Sequence, residues 1–127
     1  MIETNLREII DAQETLKIIS KMKLKARSAY KLACILREAD KELKTEQEAH
    51  KELIDKYGQR DENGNLKQTE EGNFLIEEEN LNEYFKEYKE LLDTLVTLNC
   101  DFIDLADIEE ATLTPSQMNS IMVFIHE

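Results

Sequence analysis

From residue 26 to residue 57 the chain contains neither glycine nor proline, and this stretch constrains the fold more than any other. Within it, Ala29, Leu32, Leu36, Ala39, Leu43, Glu46, His50, Leu53 and Tyr57 recur at alternating steps of three and four. That spacing lines one face of a helix and has the form of a heptad seam. Gly58 follows, where helices commonly stop. The spacing predicts a helix over 26–57, about 48 Å long at 1.5 Å per residue. Such a helix is longer than a compact body of this chain length is wide, so it is expected to protrude. Glu46 and His50 interrupt the seam. Polar residues at seam positions weaken packing and fix register, which makes His50 a register or edge residue rather than a catalytic base.

A second seam follows. Leu81, Tyr84, Tyr88, Leu91, Leu95 and Leu98 keep the three-four alternation, predicting a helix over 78–95. Glu77, Glu78 and Glu79 suit its positive N-terminal end. All three glycines lie between the seams, in 58–76. Asn63-Gly64 predicts a two-residue type I′ turn and Gly72-Asn73 marks a second turn, giving a small β-hairpin or three-stranded meander. The expected architecture is a long antiparallel helical hairpin with a β tip, flanked by terminal helices. The first of these covers 5–20, with Leu6, Ile9, Ile10, Gln13, Leu16 and Ile19 on one face and Thr4 as its cap. The last covers 115–126, opened by the capping box Thr114-Pro115-Ser116-Gln117. Between them, 95–108 becomes β-like, with one short strand near 95–99. The fold class is mainly α with minor β, in a single domain over 1–127.

Composition narrows the function. Apolar residues make up 41% and charged ones 35% of the 127 residues, too apolar for disorder and too charged for a membrane protein. No apolar run approaches the roughly 20 residues of a membrane span. The N-terminus lacks a signal peptide's apolar stretch, so the expected location is the cytoplasm. Cys34 and Cys100 occur without a CxxC spacing or a nearby histidine and are expected as free thiols. His50 and His126 are too far apart in sequence to suggest a metal cluster. Asp61, Asn63 and Asn65 match the first ligand positions of a calcium loop, but Leu66 and Gly72 stand where its glycine and its bidentate glutamate belong. A turn is the better assignment. Ser20, Ser28, Ser116 and Ser120 lack a nucleophile-elbow context. No catalytic, metal or cofactor residues are assigned, and a non-enzymatic protein is expected.

The net charge of −12 is unevenly placed. Residues 1–67 carry 14 Lys/Arg and 13 Asp/Glu, and residues 68–127 carry 2 and 15. Residues 17–37 hold seven basic side chains and no acid. Either the basic segment packs beside acidic residues of the same chain, or an acidic surface is offered to a basic partner. The overall charge argues against nucleic-acid binding. The candidate partner surface consists of Glu78, Glu83, Glu87 and Glu90, together with Asn63 and Gly64 at the tip. Met118, Ile121, Met122, Phe124 and Ile125 give the last helix a broad apolar face. That face must dock on the first helix or on a second copy, and a homodimer is expected.

Three stretches carry a resemblance. They are Lys56-Tyr57-Gly58-Gln59-Arg60-Asp61-Glu62-Asn63-Gly64-Asn65, Glu71-Gly72-Asn73-Phe74 and Phe85-Lys86-Glu87-Tyr88-Lys89-Glu90-Leu91-Leu92. It extends upstream to Lys23-Leu24-Lys25-Ala26-Arg27-Ser28 and downstream to Leu113-Thr114-Pro115. Taken together, the chain resembles small bacteriophage and prophage proteins of Gram-positive bacteria. The resemblance implies a phage-encoded accessory protein in an infected or lysogenic cell and carries over no catalytic residues. Two roles fit it, both exercised through a phage or host protein. One is a virion-assembly factor. The other is an acidic, anti-CRISPR-like inhibitor of a host antiviral defence that mimics nucleic-acid phosphates.

Overall fold

A computed structural model describes residues 1–127. The chain is mainly α with minor β: about 60% of residues are helical, well above the usual third. It divides into two compact units. Met1–Leu43 and Thr94–Glu127 form the first, and Lys44–Asp93 form the second. The long helix α2 (Ala26–Tyr57) runs through both, with the boundaries its spacing predicts.

The first unit opens on β1 (Ile2–Asn5) and α1 (Leu6–Ser20). Strand β1 pairs antiparallel with β2 (Leu95–Leu98), Ile2 opposite Leu98 and Asn5 opposite Leu95. Because residues 2–5 are extended, Thr4 turns inward and is buried, and Asn5 replaces it as the cap of α1. Asn5 Oδ1 accepts from the Glu8 amide at 2.8 Å, a contact worth about 1 kcal/mol. The unit closes with β3 (Ile103–Asp104), α4 (Pro115–Ile121) and β4 (Ile125–His126), which pairs parallel to β3. Thr114 and Gln117 form the expected capping box, with Thr114 Oγ1 accepting from the Gln117 amide at 3.1 Å and Gln117 Oε1 from the Thr114 amide at 2.9 Å.

Two helices are shorter than their spacing predicts. The final helix stops at Ile121. Met122–Phe124 tighten into a 3₁₀ turn, and Ile125 leaves the helix to pair with Ile103. The helix expected over 78–95 begins as a 3₁₀ turn at Glu78–Asn80, continues as α3 (Leu81–Leu92) and ends there. Leu95 and Leu98, placed on its seam by spacing, belong to β2. Val96, Thr97 and their neighbours suit a pleated strand, and the ladder to β1 overrides the helical spacing.

The core of the first unit is mainly apolar, with Thr4, Thr15 and Ser28 as its buried polar residues. Ile9, Leu16 and Ile19 of α1, Ile35 of α2, Leu98, Ile103, Ile121 and Phe124 are all fully buried. Helices α1 and α4 pack against each other, and Ser120 Oγ donates to Thr15 Oγ1 at 2.9 Å across that contact. On α2 the buried positions are Ser28, Leu32, Ile35, Ala39 and Glu46, whereas Ala29 is exposed and Leu36 and Leu43 are half-buried. The seam is therefore turned by one residue from the predicted one at its N-terminal end. Ile35 is fully buried where Leu36 is only half-buried.

In the second unit, residues 44–57 of α2 and the helix α3 flank the segment 58–76, a hairpin-like arrangement. Gly58 closes α2 for a reason other than a left-handed cap. Its amide still bonds Ile54 O at 2.7 Å, and a Cβ there would stand 2.5 Å from that oxygen and 2.6 Å from Leu66 Cδ2. The backbone oxygen has no room to yield. Gly58→Ala is expected to destabilise the junction of α2 and the tip by about 1–3 kcal/mol. Hydrogen exchange of the Gln59, Lys67 and Leu75 amides should accelerate while the amides of α1 stay protected.

Candidate functional site

The segment 58–76 is built twice on one plan. Arg60-Asp61-Glu62-Asn63-Gly64-Asn65-Leu66 aligns with Gln68-Thr69-Glu70-Glu71-Gly72-Asn73-Phe74 at a spacing of eight, with Glu, Gly and Asn matched. The structures match as well. The Gly64 amide bonds Asp61 O at 3.0 Å and the Asp61 amide bonds Asn65 O at 2.8 Å; the Gly72 amide bonds Thr69 O at 2.9 Å and the Thr69 amide bonds Asn73 O at 2.7 Å. Gly64 (φ 82°) and Gly72 (φ 86°) are the residues with positive φ. Asn63 is not, so the predicted type I′ turn at Asn63-Gly64 is absent. In its place stands a three-residue loop ending on a left-handed glycine, the G1-bulge solution. The side chain of Asp61 caps this turn, as Thr69 does the second. Asp61 Oδ1 accepts from the Asn63 and Asn65 amides at 2.8 and 3.0 Å and organises the turn.

The three extended segments do not form a flat meander. Arg60 bridges Leu66, Gln68 bridges Phe74, and Gly58 bridges Ile76. At the centre, the Lys67 amide donates to Gln59 O (2.8 Å), the Leu75 amide to Lys67 O (3.1 Å) and the Gln59 amide to Leu75 O (2.8 Å). These bonds close a ring in which each segment pairs with both others. Arg60 ties the first turn to α2, donating to Gly64 O at 3.1 Å and to Asp55 O at 3.0 Å. The ring leaves Phe74 and Leu75 exposed, and Phe85 on α3 is exposed too. Spacing of helical faces gives no reason to single out these three, and the eight-residue period equates Phe74 with Leu66, which is half-buried.

Asn63 and Gly64 are exposed in the first turn, and Glu78, Glu83 and Glu90 are exposed on the 3₁₀ turn and α3. Glu78 lies on the 3₁₀ turn and not on α3, so the four acids do not share one regular helix. Glu87 is turned inward. Its Oε1 lies 3.3 Å from Lys56 Nζ, and its Oε2 is shielded from solvent. The Tyr57 hydroxyl beside it, more than the Lys56 ammonium, holds the Glu87 carboxyl below the usual carboxylate range. Tyr57→Phe should therefore move the Glu87 pKa upward in a carbon-detected NMR titration. The linked stability is present above the unfolded carboxylate pKa and is lost as pH falls through the lowered folded value.

Inside the same unit, His50 Nε2 and Tyr84 Oη are hydrogen-bonded at 2.7 Å, and the imidazole stacks on Tyr88 at 4.3 Å and 2°. Tyr84 is buried, which with the neighbouring Tyr88 and Glu46 raises its phenol pKa. These polar seam residues thus hold α2 to α3 by ring stacking and a hydrogen bond.

The residues assigned to self-association divide. Ile121 and Phe124 are fully buried, Met118 and Ile125 half-buried, and Met122 exposed. Both buried residues are covered within the chain, α4 packing on α1 and the 3₁₀ turn that holds Phe124 on β1, while Met122 stays open to solvent. Charge follows a similar course in the first unit. Lys31 pairs with Asp104 at 3.7 Å, and Lys23 and Lys25 share a cleft with Asp107, Glu109 and Glu110. The basic segment lies beside acids of its own unit. The second unit holds fifteen Asp/Glu against seven Lys/Arg.

No helix is long and apolar enough to cross a membrane. No family model, no curated protein and no solved structure matches the chain.

Proposed function

We propose that the chain works by binding another protein through its second unit, without catalysing a reaction. The observation that carries this is the ring-closed tip. Its three segments are joined by a closed ring of backbone hydrogen bonds, its two glycine turns fix its shape, and Phe74 and Leu75 are exposed on it. A preorganised element with exposed aromatic and aliphatic side chains loses little entropy on docking. With the resemblance to phage and prophage proteins, the role that fits best is a phage-encoded accessory factor contacting a virion protein during assembly. The acidic inhibitor of a host antiviral defence is the second reading, favoured by the charge of the second unit.

Cross-linking capture from phage-infected cells, followed by mass spectrometry, tests both. Virion proteins linked to residues 58–76 support assembly, and defence effectors linked to Glu78, Glu83 or Glu90 support inhibition. Gly64→Val, which forces a β-branched residue into positive φ, should weaken either complex and leave α1 folded. Reversal of Glu78, Glu83 and Glu90 to lysine, together with added salt, should weaken the inhibitor complex more than the assembly complex. Absence of any specific link to the second unit overturns the proposal.

A further inference from the structure

The two cysteines, 66 positions apart in sequence, come to one place. Cys34 on α2 and Cys100, just past β2, line a single cavity of about 270 Å³ in the first unit, with Met1, Tyr30, Asn99 and Asp101. Neither is in a disulfide. They differ in setting. Cys34 is half-buried, and Arg37 Nη2 donates to its sulfur at 3.7 Å. Cys100 is buried, and that burial, with smaller contributions from Glu38 and Cys34, pushes its thiol pKa up. Both thiols face the same cavity, Cys34 the more exposed and Cys100 the more sheltered. This is the division between a sensing cysteine and a resolving one.

We propose that Cys34 and Cys100 form a redox-convertible pair that closes to an intramolecular disulfide under peroxide and reopens under dithiol reductants. In the first step the Cys34 thiolate attacks one oxygen of hydrogen peroxide. The O–O bond breaks, hydroxide leaves and takes up a proton as water, and Cys34 becomes a sulfenic acid. In the second step the Cys100 sulfur, giving up its proton, attacks the Cys34 sulfur. The S–S bond forms, the S–O bond breaks, and the departing hydroxide takes that proton as a second water. Two thiols are oxidised by one electron each and one peroxide is reduced by two. All of the second unit, residues 44–93, lies in the chain between the two cysteines. The link therefore ties the point where the chain leaves the first unit to the point where it returns, leaving the second unit itself unlinked. Cross-linking across so long a loop restrains the unfolded chain strongly.

The full-length protein is exposed to hydrogen peroxide, quenched, unfolded and treated with iodoacetamide, then weighed intact without reductant. The expected product is a monomer about 2 Da lighter than the reduced chain, with no alkylated thiol, restored to two alkylated thiols by prior dithiothreitol. Cys100→Ser should instead accumulate a dimedone-trapped sulfenic acid at position 34, and Cys34→Ser should keep Cys100 alkylatable at the same peroxide dose. Two alkylatable thiols in the oxidised wild type, disulfide-linked dimers in place of the monomer, or equal trapping at Cys34 in wild type and Cys100→Ser would overturn the proposal.

Discussion

Replacing Phe124 by alanine is expected to cost about 3–5 kcal/mol, the usual range for deleting a fully buried ring from a packed core. Phe124 follows α4 in the 3₁₀ turn, is wholly removed from solvent, and belongs to the turn that packs on β1. The next residue, Ile125, is held by its pairing with Ile103, which restrains the backbone beside the ring. Urea unfolding should show the loss, with tertiary signals from the first unit going first. The more severe Phe124→Asp and Ile121→Asp place an unpaired carboxylate among apolar groups and are expected to leave the first unit unfolded. Had these side chains joined two copies, the same variants would release a folded monomer. Sedimentation combined with circular dichroism separates a smaller folded species from an unfolded one.

The second large effect distinguishes two neighbours on α2. Ile35→Ala is expected to cost about 2–5 kcal/mol, since Ile35 is fully buried. Leu36→Ala, at a half-buried position, should cost well under half of that. The reverse order in thermal or denaturant unfolding would restore the rotation predicted from spacing. A three-four alternation of apolar residues specifies a helix, but Leu32, Ile35, Leu36 and Ala39 together admit two faces only one residue apart. Which face turns inward depends on what it meets, and the neighbours of this part of α2 include Met1, residues 99–101 and Asp104, all distant in sequence.

The same distinction between local and distant information runs through the rest of the molecule. Ala26–Tyr57 and the capping box at Thr114 were legible because each is fixed by neighbours within four residues. Strand β1 was not, because Ile2–Asn5 carries no period of its own and becomes a strand only by pairing with residues some ninety positions later. Leu95 and Leu98 fit a helical seam in sequence and a ladder in space, and the ladder prevails. At the tip, the glycine positions were legible but the turn type was not. Asp61 caps its own downstream amides, and Asn63 stays out of the left-handed region that the Asn-Gly pair alone suggests. Glu87 looked like its acidic neighbours until Lys56 and Tyr57 drew it inward.

The discontinuity of the first unit dictates an order of events during synthesis. Residues 44–93 form a contiguous stretch, and every bridge and ring bond of the tip joins residues fewer than twenty positions apart. That half completes its contacts as soon as it has left the ribosome. The other half must wait. Strand β1 is made first and has no partner until residue 98 has been translated, and the inner face of α1 stays uncovered until α4 follows. Closing the first unit therefore rests on contacts of long sequence separation, the class that forms slowly in folding chains. Throughout that interval Ile9, Leu16 and Ile19 are the sticky surface of the nascent chain.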